Sequence, residues 1–198
     1  MIPAKPTIYK GIQFRSRLEA RWAKFFDEFG MSWQYEPYVF QIDLGDNCYE
    51  QYTPDFLIAG QEFHYVEVRG DQERMDREYA DWIRKIEAIP QIQNIVLLGN
   101  LPEIDRTCWD QAPAFHAWTV YDDSSLLPGR VLRYAVECYA YFQDAGEICE
   151  FGYAGGPEFQ LPKLNTGLTF LPCEQGAGRY ARKVNSLLQR CSHVKFYD

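Results

Sequence analysis

The stretch YEQYTPDFLIAGQEFHYVEVRG, residues 49–70, decides the fold, because it predicts two adjacent strands joined by a tight turn. The first strand spans 49–58 and is bent at Thr53-Pro54, where proline interrupts strand pairing. Ala59-Gly60-Gln61 provides the turn, and the second strand spans 63–69. Strands joined by so short a turn pair antiparallel, so residues near the bend face residues near the end of the second strand.

This pairing brings two acidic residues together. Side chains alternate along a strand, so Glu67 and Arg69 project from the face opposite Val66. Asp55 lies twelve residues before Glu67, at the bend, where the pairing places the two carboxylates close to each other. Adjacent acids repel unless one is protonated or a cation lies between them. Oxygen ligands without a nearby thiolate or imidazole suit Mg²⁺ or Mn²⁺ rather than zinc.

The elements on either side complete a mixed α/β core. Residues 16–30 predict an amphipathic helix, with Ser16 as its N-cap and Gly30 as its C-terminal stop. An extended segment at 33–43, broken at proline, follows it. After residue 70, apolar residues at helical spacing predict a second amphipathic helix. The apolar run 94–98 is typical of a strand buried on both faces, as in the parallel part of a mixed sheet. The predicted order is α-β-β-β-α-β.

The second half of the chain gives weaker patterns. We divide the protein into a core at 1–100 and a C-terminal extension at 101–198 that packs on the core. The predicted elements of the extension are a strand at 117–121, a helix or strand at 130–142, loops with short strands at 152–172 and a basic helix at 178–190.

Composition excludes several classes of protein. The 198 residues are 46% hydrophobic and 16% aromatic, which excludes intrinsic disorder. No apolar run approaches the roughly 20 residues of a membrane-spanning helix. Residues 1–10 lack the apolar region of a secretory signal. We therefore expect a cytoplasmic protein.

The cysteines and histidines predict no metal centre. The six cysteines include no Cys-x-x-Cys pair, and the three histidines are far apart in the sequence. Reduced, mostly buried thiols are therefore favoured over zinc or a disulfide framework. His64, beside the acidic strand, is expected at the surface or on an edge strand.

The net charge of −8 is unevenly distributed. Residues 1–30 carry six basic and three acidic residues, a net +3, and residues 176–197 carry five basic and no acidic residues, a net +5. Basic ends around an acidic middle would place a phosphate-binding rim near the carboxylates, although ordinary solvated charge is the alternative. The candidate nucleic-acid-binding residues are Lys10, Arg15, Arg17, Arg21, Arg179, Arg182 and Lys183.

Several short blocks together resemble the PD-(D/E)XK, or restriction-endonuclease-like, nuclease superfamily. Pro54-Asp55 followed by Glu67-Val68-Arg69 is similar to its signature, and the helix carrying Glu19 precedes them as in its core. The resemblance covers about residues 8–100 and points to a small phage and bacterial branch. Its further blocks are Tyr9-Lys10-Gly11, Phe14-Arg15-Ser16-Arg17-Leu18-Glu19, Trp22-Ala23-x-Phe25-Phe26, Tyr35-Glu36-Pro37 and Tyr52-Thr53-Pro54-Asp55-Phe56.

The resemblance implies a metal-dependent nuclease that hydrolyses DNA phosphodiester bonds in a bacterial or phage-infected cell. It implies Asp55 as the central ligand of Mg²⁺ or Mn²⁺, and Glu67 and the backbone carbonyl of Val68 as further ligands. Glu19 would bind through water or hold a second metal. The metal would lower the pKa of a bound water and neutralise phosphate charge. Whether the protein forms a homodimer is left open.

One residue departs from the family pattern. Arg69 stands where the family usually has lysine, and arginine stays charged, so it cannot act as a general base. It can still stabilise the transition state by gripping a phosphate, and Lys10 is a candidate replacement cation. The alternative is a catalytically decayed protein that binds nucleic acid or another protein. Glu19 also has a structural alternative, because Ser16 and Glu19 form a capping-box pattern.

Overall fold

The computed structural model describes residues 5–43, 48–101, 112–123, 132–144, 149–154, 169–171 and 181–196. These residues form three helices and twelve strands. In chain order they are β1 (Thr7–Tyr9), β2 (Ile12–Phe14), α1 (Arg17–Phe29), β3 (Ser32–Tyr35), β4 (Phe40–Asp43), β5 (Tyr49–Tyr52), β6 (Phe56–Ala59), β7 (Phe63–Val68), α2 (Gln72–Glu87), β8 (Asn94–Leu98), β9 (Ala112–Asp123), β10 (Leu132–Asp144), β11 (Cys149–Ala154), β12 (Thr169–Leu171) and α3 (Ala181–Ser192).

A mixed, mostly antiparallel sheet forms the centre of the described structure. Its strand order is β11-β10-β9-β8-β7-β6-β3, and β12 pairs with β9. Among the described strands of this sheet, β7 and β8 pair parallel and the other pairs are antiparallel. The pairs β1–β2 and β4–β5 form two small separate sheets. The prediction of a mixed α/β fold is confirmed.

Proline divides two of the predicted strands. The segment predicted at 33–43 forms β3 and β4 on either side of Pro37, and the segment at 49–58 forms β5 and β6 on either side of Thr53-Pro54. β3 and β6 join the central sheet, while β4 and β5 pair with each other. The antiparallel meander next to α1 is therefore β3-β6-β7, with the β4–β5 hairpin inserted in it.

Two apolar layers enclose the sheet. α1 and α3 cover one face, where Phe25 and Leu188 pack with Val96 of β8. α2 covers the other face, where Trp82 packs with Leu97 of β8. Successive residues of β8 thus point into opposite layers and all five are buried. The prediction of a strand at 94–98 buried on both faces is confirmed.

The C-terminal half continues the same sheet. β9 pairs with β8, and β10 pairs with β9 in a long antiparallel ladder, so the ambiguous segment 130–142 is a strand where it is described. The basic helix begins at Ala181 in the described residues, and its apolar face packs against α1. Much of the predicted loop region at 152–172 lies outside the described residues, apart from the end of β11 and β12.

The expectation that His64 is at the surface or on an edge strand is wrong. β7 lies between β6 and β8, so it is not an edge strand. The ring of His64 is buried, with its centroid 6.0 Å from that of Phe151. The cysteines Cys48, Cys138 and Cys191 are free thiols, the last two buried. Within the described ranges, none of the helices has the length and apolar character needed to cross a membrane.

Candidate active site

The acidic residues converge where β6 begins, β7 ends and α1 begins. Phe56 pairs with Val66 in the β6–β7 ladder. The same register places Asp55 opposite Glu67, as the strand pairing predicts. Both carboxylic residues are 1% exposed, and Glu19 near the start of α1 is 7% exposed. Burial of three acids in one region removes water from groups that are most stable when solvated.

Asp55 is held by one backbone donor and one cation. Its Oδ2 accepts a hydrogen bond of 2.6 Å from the backbone N–H of Val68. Its Oδ1 forms an ion pair with the guanidinium of Arg15. Burial raises the pKa of Asp55 well above its usual range, and the charges of Glu67 and Glu19 raise it further against the opposing effects of Val68 and Arg15.

Glu67 is held in the same manner by a hydroxyl and a cation. Its Oε2 accepts a hydrogen bond of 2.6 Å from the hydroxyl of Tyr52. The hydroxyl oxygen of Tyr52 in turn accepts a hydrogen bond of 3.1 Å from Nε1 of Trp82. Its Oε1 pairs with the guanidinium of Arg69. Burial raises the pKa of Glu67, although Arg69 and Tyr52 oppose the shift. α2 therefore orients this carboxylate through Trp82.

Glu19 combines a structural role with a place at the site. Ser16 Oγ accepts a 3.2 Å hydrogen bond from the backbone N–H of Glu19 and donates one of 2.7 Å to its Oε1, so this side chain takes part in capping α1. Its Oε2 accepts hydrogen bonds from the hydroxyl of Tyr35 at 2.6 Å and the backbone N–H of Arg15 at 3.1 Å. The charge of Glu19 also raises the pKa of Asp55. The structure is thus compatible both with Glu19 as a capping residue of α1 and with Glu19 as a residue of the acidic site.

Arg15 bridges two acidic residues at the mouth of the site. Besides its contact with Asp55, its Nε lies 2.7 Å from Oε1 of Glu36. Glu36 has a backbone φ of 44°, and its N–H donates a 2.9 Å hydrogen bond to the carbonyl of Asp55. A residue before proline normally adopts an extended conformation, so this left-handed geometry is unusual. Sequence reasoning missed the role of Glu36, because no residue spacing indicates a left-handed turn here.

Arg69 remains a cation in this environment. It follows β7, and its backbone N–H donates a 2.8 Å hydrogen bond to the carbonyl of Leu98. Burial alone lowers the pKa of Arg69, but the charges of Glu67 and Asp55 reverse the effect and raise it. A guanidinium with a raised pKa donates hydrogen bonds and does not accept a proton.

The other basic residues predicted to bind nucleic acid lie in several places. Lys10 is 2.9 Å from Asp27 Oδ2, toward the far end of α1, and Arg21 reaches the carbonyl of Val194 at 3.5 Å. Arg17 is exposed at the start of α1.

In α3, Arg182 and Lys183 are exposed, with the ammonium of Lys183 4.9 Å from the ring centroid of Phe29. Arg179 lies outside the described residues.

The chemistry of the donor set fits a hard divalent cation. Burial raises the pKa of both carboxyl groups, and the charge of Glu67 raises that of Asp55 further, so a cation between them would stabilise their ionised forms. In the described arrangement each carboxylate is paired with a guanidinium. Within the described ranges, no three or more His, Cys, Asp or Glu side chains form a preassembled metal-binding group.

No protein-family model, curated protein or solved structure matches this chain. Any assignment of function therefore depends on the residues of the site itself.

Proposed function

We propose that this chain is a metal-dependent nuclease that hydrolyses phosphodiester bonds of DNA, built on a restriction-endonuclease-like core. The main support is the burial of Asp55 and Glu67 where β6 begins and β7 ends, with Glu19 of α1 close enough for its charge to raise the pKa of Asp55. Buried acids whose pKa is raised by burial and by neighbouring charges are common at functional sites, because their burial lowers the stability of the fold. The order α1, β3, β6, β7, α2, β8 also agrees with the order expected of that core.

In this proposal the carboxylates of Asp55 and Glu67, with the backbone carbonyl of Val68, would hold Mg²⁺ or Mn²⁺. The ion would supply an activated water and neutralise phosphate charge. Glu19 would orient water on the side of α1. Arg69 keeps its proton throughout and would bind a phosphate oxygen as charge develops in the transition state. Because Arg69 cannot take up a proton, the proposal assigns it no role as a base.

The test is incubation of the purified protein with linear, circular, single-stranded and double-stranded DNA in Mn²⁺, Mg²⁺ or EDTA. We expect cleavage of at least one substrate with metal and none with EDTA. Asp55→Asn should abolish cleavage. The matched control is Asp76→Asn on the exposed surface of α2, where the carboxylate accepts a 2.6 Å hydrogen bond from Gln72; it should cleave like the wild type. Cleavage that persists in Asp55→Asn would refute the assignment.

One observation favours a second candidate, a decayed nuclease that binds nucleic acid or a protein partner. Arg15 and Arg69 each pair with a buried carboxylate of the site. A site that had lost its metal would need such positive charges to stabilise its acids. This candidate predicts DNA binding without cleavage in any metal, and binding that does not change in Asp55→Asn.

A further inference from the structure

We infer that Arg15 is a phosphate-binding residue that Asp55 holds in place until a metal ion displaces it. The inference rests on the proposed function, because it requires that Asp55 bind a metal ion. It goes further by assigning a role to a side chain that is neither a metal ligand nor the cation of the strand motif. It also predicts that metal binding and DNA binding are coupled through one arginine.

The first argument is competition for one oxygen atom. The guanidinium of Arg15 occupies Oδ1 of Asp55, while Oδ2 accepts the backbone N–H of Val68. Oδ2 is fixed by an interaction with the strand itself, so Oδ1 is the atom of Asp55 that an entering cation can take. An ion that binds there must displace the guanidinium, because two cations cannot share that position.

The second argument concerns where the displaced side chain goes. Nε of Arg15 lies 2.7 Å from Oε1 of Glu36, so a second carboxylate keeps Arg15 at the rim of the site. The left-handed backbone of Glu36, φ 44°, is tied to the carbonyl of Asp55 by a 2.9 Å hydrogen bond. A conformation that non-glycine residues rarely adopt is maintained here by its surroundings, and it keeps Glu36 next to Arg15.

The third argument is access. The side chain of Arg15 is 56% exposed, whereas that of Asp55 is 1% exposed. Arg15 therefore reaches both the buried acid and the solvent from which a DNA strand approaches. Once released from Asp55, the terminal nitrogens of its guanidinium face no carboxylate of the strand motif and can donate to a phosphate in the two-pronged manner that arginine favours. The side chain of Arg69, in contrast, is 28% exposed.

The consequence is positive coupling between two ligands. Metal at Asp55 makes Arg15 available to phosphate, and phosphate on Arg15 removes the competitor for the metal. Such coupling is reciprocal, so each ligand raises the affinity for the other by the same factor.

The experiment measures two affinities in wild type and Arg15→Gln. The first is Mn²⁺ binding without DNA, by isothermal titration calorimetry at pH 8. Removing the competing cation should tighten Mn²⁺ binding by about three- to tenfold, the scale of one charge interaction at a partly exposed site. The surface variant Arg77→Gln on α2 removes the same charge at an exposed position and should leave Mn²⁺ affinity unchanged.

The second measurement is binding of a fluorescent 20-base-pair DNA duplex, by anisotropy, in Ca²⁺ and in EDTA, with Ca²⁺ chosen as an ion that does not support cleavage. Arg15→Gln should weaken DNA binding in Ca²⁺ but not in EDTA, because Asp55 holds the arginine when no ion is present. The control is Arg17→Gln, which removes an exposed cation two residues away and should change DNA affinity by the same factor in both conditions.

The outcomes separate this inference from the proposed function. If wild type binds Mn²⁺ and Asp55→Asn does not, the metal site stands. The role of Arg15 is then refuted if Arg15→Gln leaves Mn²⁺ affinity unchanged, or if it weakens DNA binding equally in Ca²⁺ and in EDTA. If wild type binds no Mn²⁺, both are refuted.

Should Arg15→Gln fail to fold, Arg15→Lys replaces it. Lysine keeps the charge but cannot contact Asp55 and Glu36 through two nitrogens, so it should bind Mn²⁺ more tightly than wild type, and equal or weaker binding would contradict the inference.

Discussion

At the scale of single residues, Asp55 and Glu67 make the site costly to fold. Both are buried, and the pKa of each is raised above its ordinary value, chiefly by that burial. A raised pKa means that the folded state holds the proton more tightly than the unfolded state does. This tighter proton binding stabilises the folded state fully below about pH 4, near the ordinary pKa of a carboxyl group. The stabilisation is lost as the pH rises through the raised pKa values of Asp55 and Glu67.

We therefore predict that, without divalent metal, Asp55→Asn becomes increasingly more stable relative to wild type as the pH rises from 5 to 8. The difference in unfolding free energy should grow by up to about 1.4 kcal/mol per pH unit while Asp55 titrates. Urea unfolding at several pH values measures it. The comparison isolates Asp55, because residues such as Asp27, whose pKa is lowered, titrate alike in both proteins. A difference that stays constant with pH would contradict the burial argument.

Arg69 decides between an enzyme and a decayed protein. If the site is active, Arg69→Lys should keep or raise the cleavage rate, since lysine supplies a cation at the same position of the strand. Arg69→Ala should lose about 10²–10³ in rate, the usual scale for removing one charge contact in the transition state. Initial rates on plasmid DNA in Mn²⁺ and Mg²⁺ measure these effects.

A different result would assign the protein to the other class. If wild type is inactive in both metals and Arg69→Lys gains metal-dependent cleavage, arginine is the residue that silenced the site. The function would then be that of a binding module, with the Arg69–Glu67 pair replacing the charge of a metal.

At the scale of elements, α1 connects helix capping with the site. Ser16 caps the helix by accepting from the backbone N–H of Glu19, and Glu19 in turn receives hydrogen bonds from Tyr35 and Arg15. We predict that Ser16→Ala lowers stability by about 1 kcal/mol, or about 2–4 °C in Tm, through loss of the cap. Ser32→Ala at an exposed position of β3 is the matched control and should change Tm little.

Glu19→Gln separates the two roles of this residue. Glutamine can replace glutamate in a capping box, so stability should change by less than about 1 kcal/mol. Because the charge is lost, cleavage should fall if Glu19 acts at the site. Reduced cleavage with unchanged Tm would support the catalytic role, whereas unchanged cleavage would leave Glu19 as a cap alone.

Much of the element pattern was readable from local signals, and the errors have identifiable causes. α1 and α2 follow from periodicity, because each is long enough to show its pattern, and β8 follows from its uninterrupted apolar run. The β4–β5 hairpin was predicted as part of two longer strands, since the sequence marks where prolines break a strand but not which sheet each half joins. His64 was misplaced because its ring packs against Phe151 of β11, a residue far away in the sequence that no local pattern connects with it.

The site was predictable only in part for the same reason. The strand register brings Asp55 to Glu67, and a short-range pattern carries that information. The contact between Arg15 and Asp55 spans 40 residues, and the contact of Lys10 with Asp27 depends on how the β1–β2 hairpin folds back over α1. No periodicity or motif specifies such long-range side-chain partners.

At the scale of the whole molecule, basic residues from both ends of the chain lie on one side of the sheet. α3 packs on the same face as α1, with Arg190 at 3.2 Å from Glu28 and Lys183 against Phe29. Lys183 lies near the end of α1 away from Glu19, about 15 Å along a helix that rises about 1.5 Å per residue. A DNA strand that follows this face would meet charges from both helices.

We predict that Arg182→Gln combined with Lys183→Gln weakens DNA binding and lowers the slope of log affinity against log salt by about two, one for each lost phosphate contact. Anisotropy titrations at salt concentrations between about 50 and 300 mM give this slope. Arg84→Gln is the control, since this exposed arginine lies on α2 on the opposite face and pairs with Asp81. An unchanged slope would show that the basic face of α3 is only solvated.

The central claim is that Asp55 and Glu67 bind a divalent ion, and anomalous diffraction from crystals grown with Mn²⁺ tests it most directly. We predict one anomalous peak between the two carboxylates, at distances close to the ~2.0–2.1 Å typical of magnesium–oxygen bonds, with Arg15 moved away from Oδ1 of Asp55. A map with no peak there, and with Arg15 on Asp55 and Arg69 on Glu67 as in the present structure, would contradict the claim.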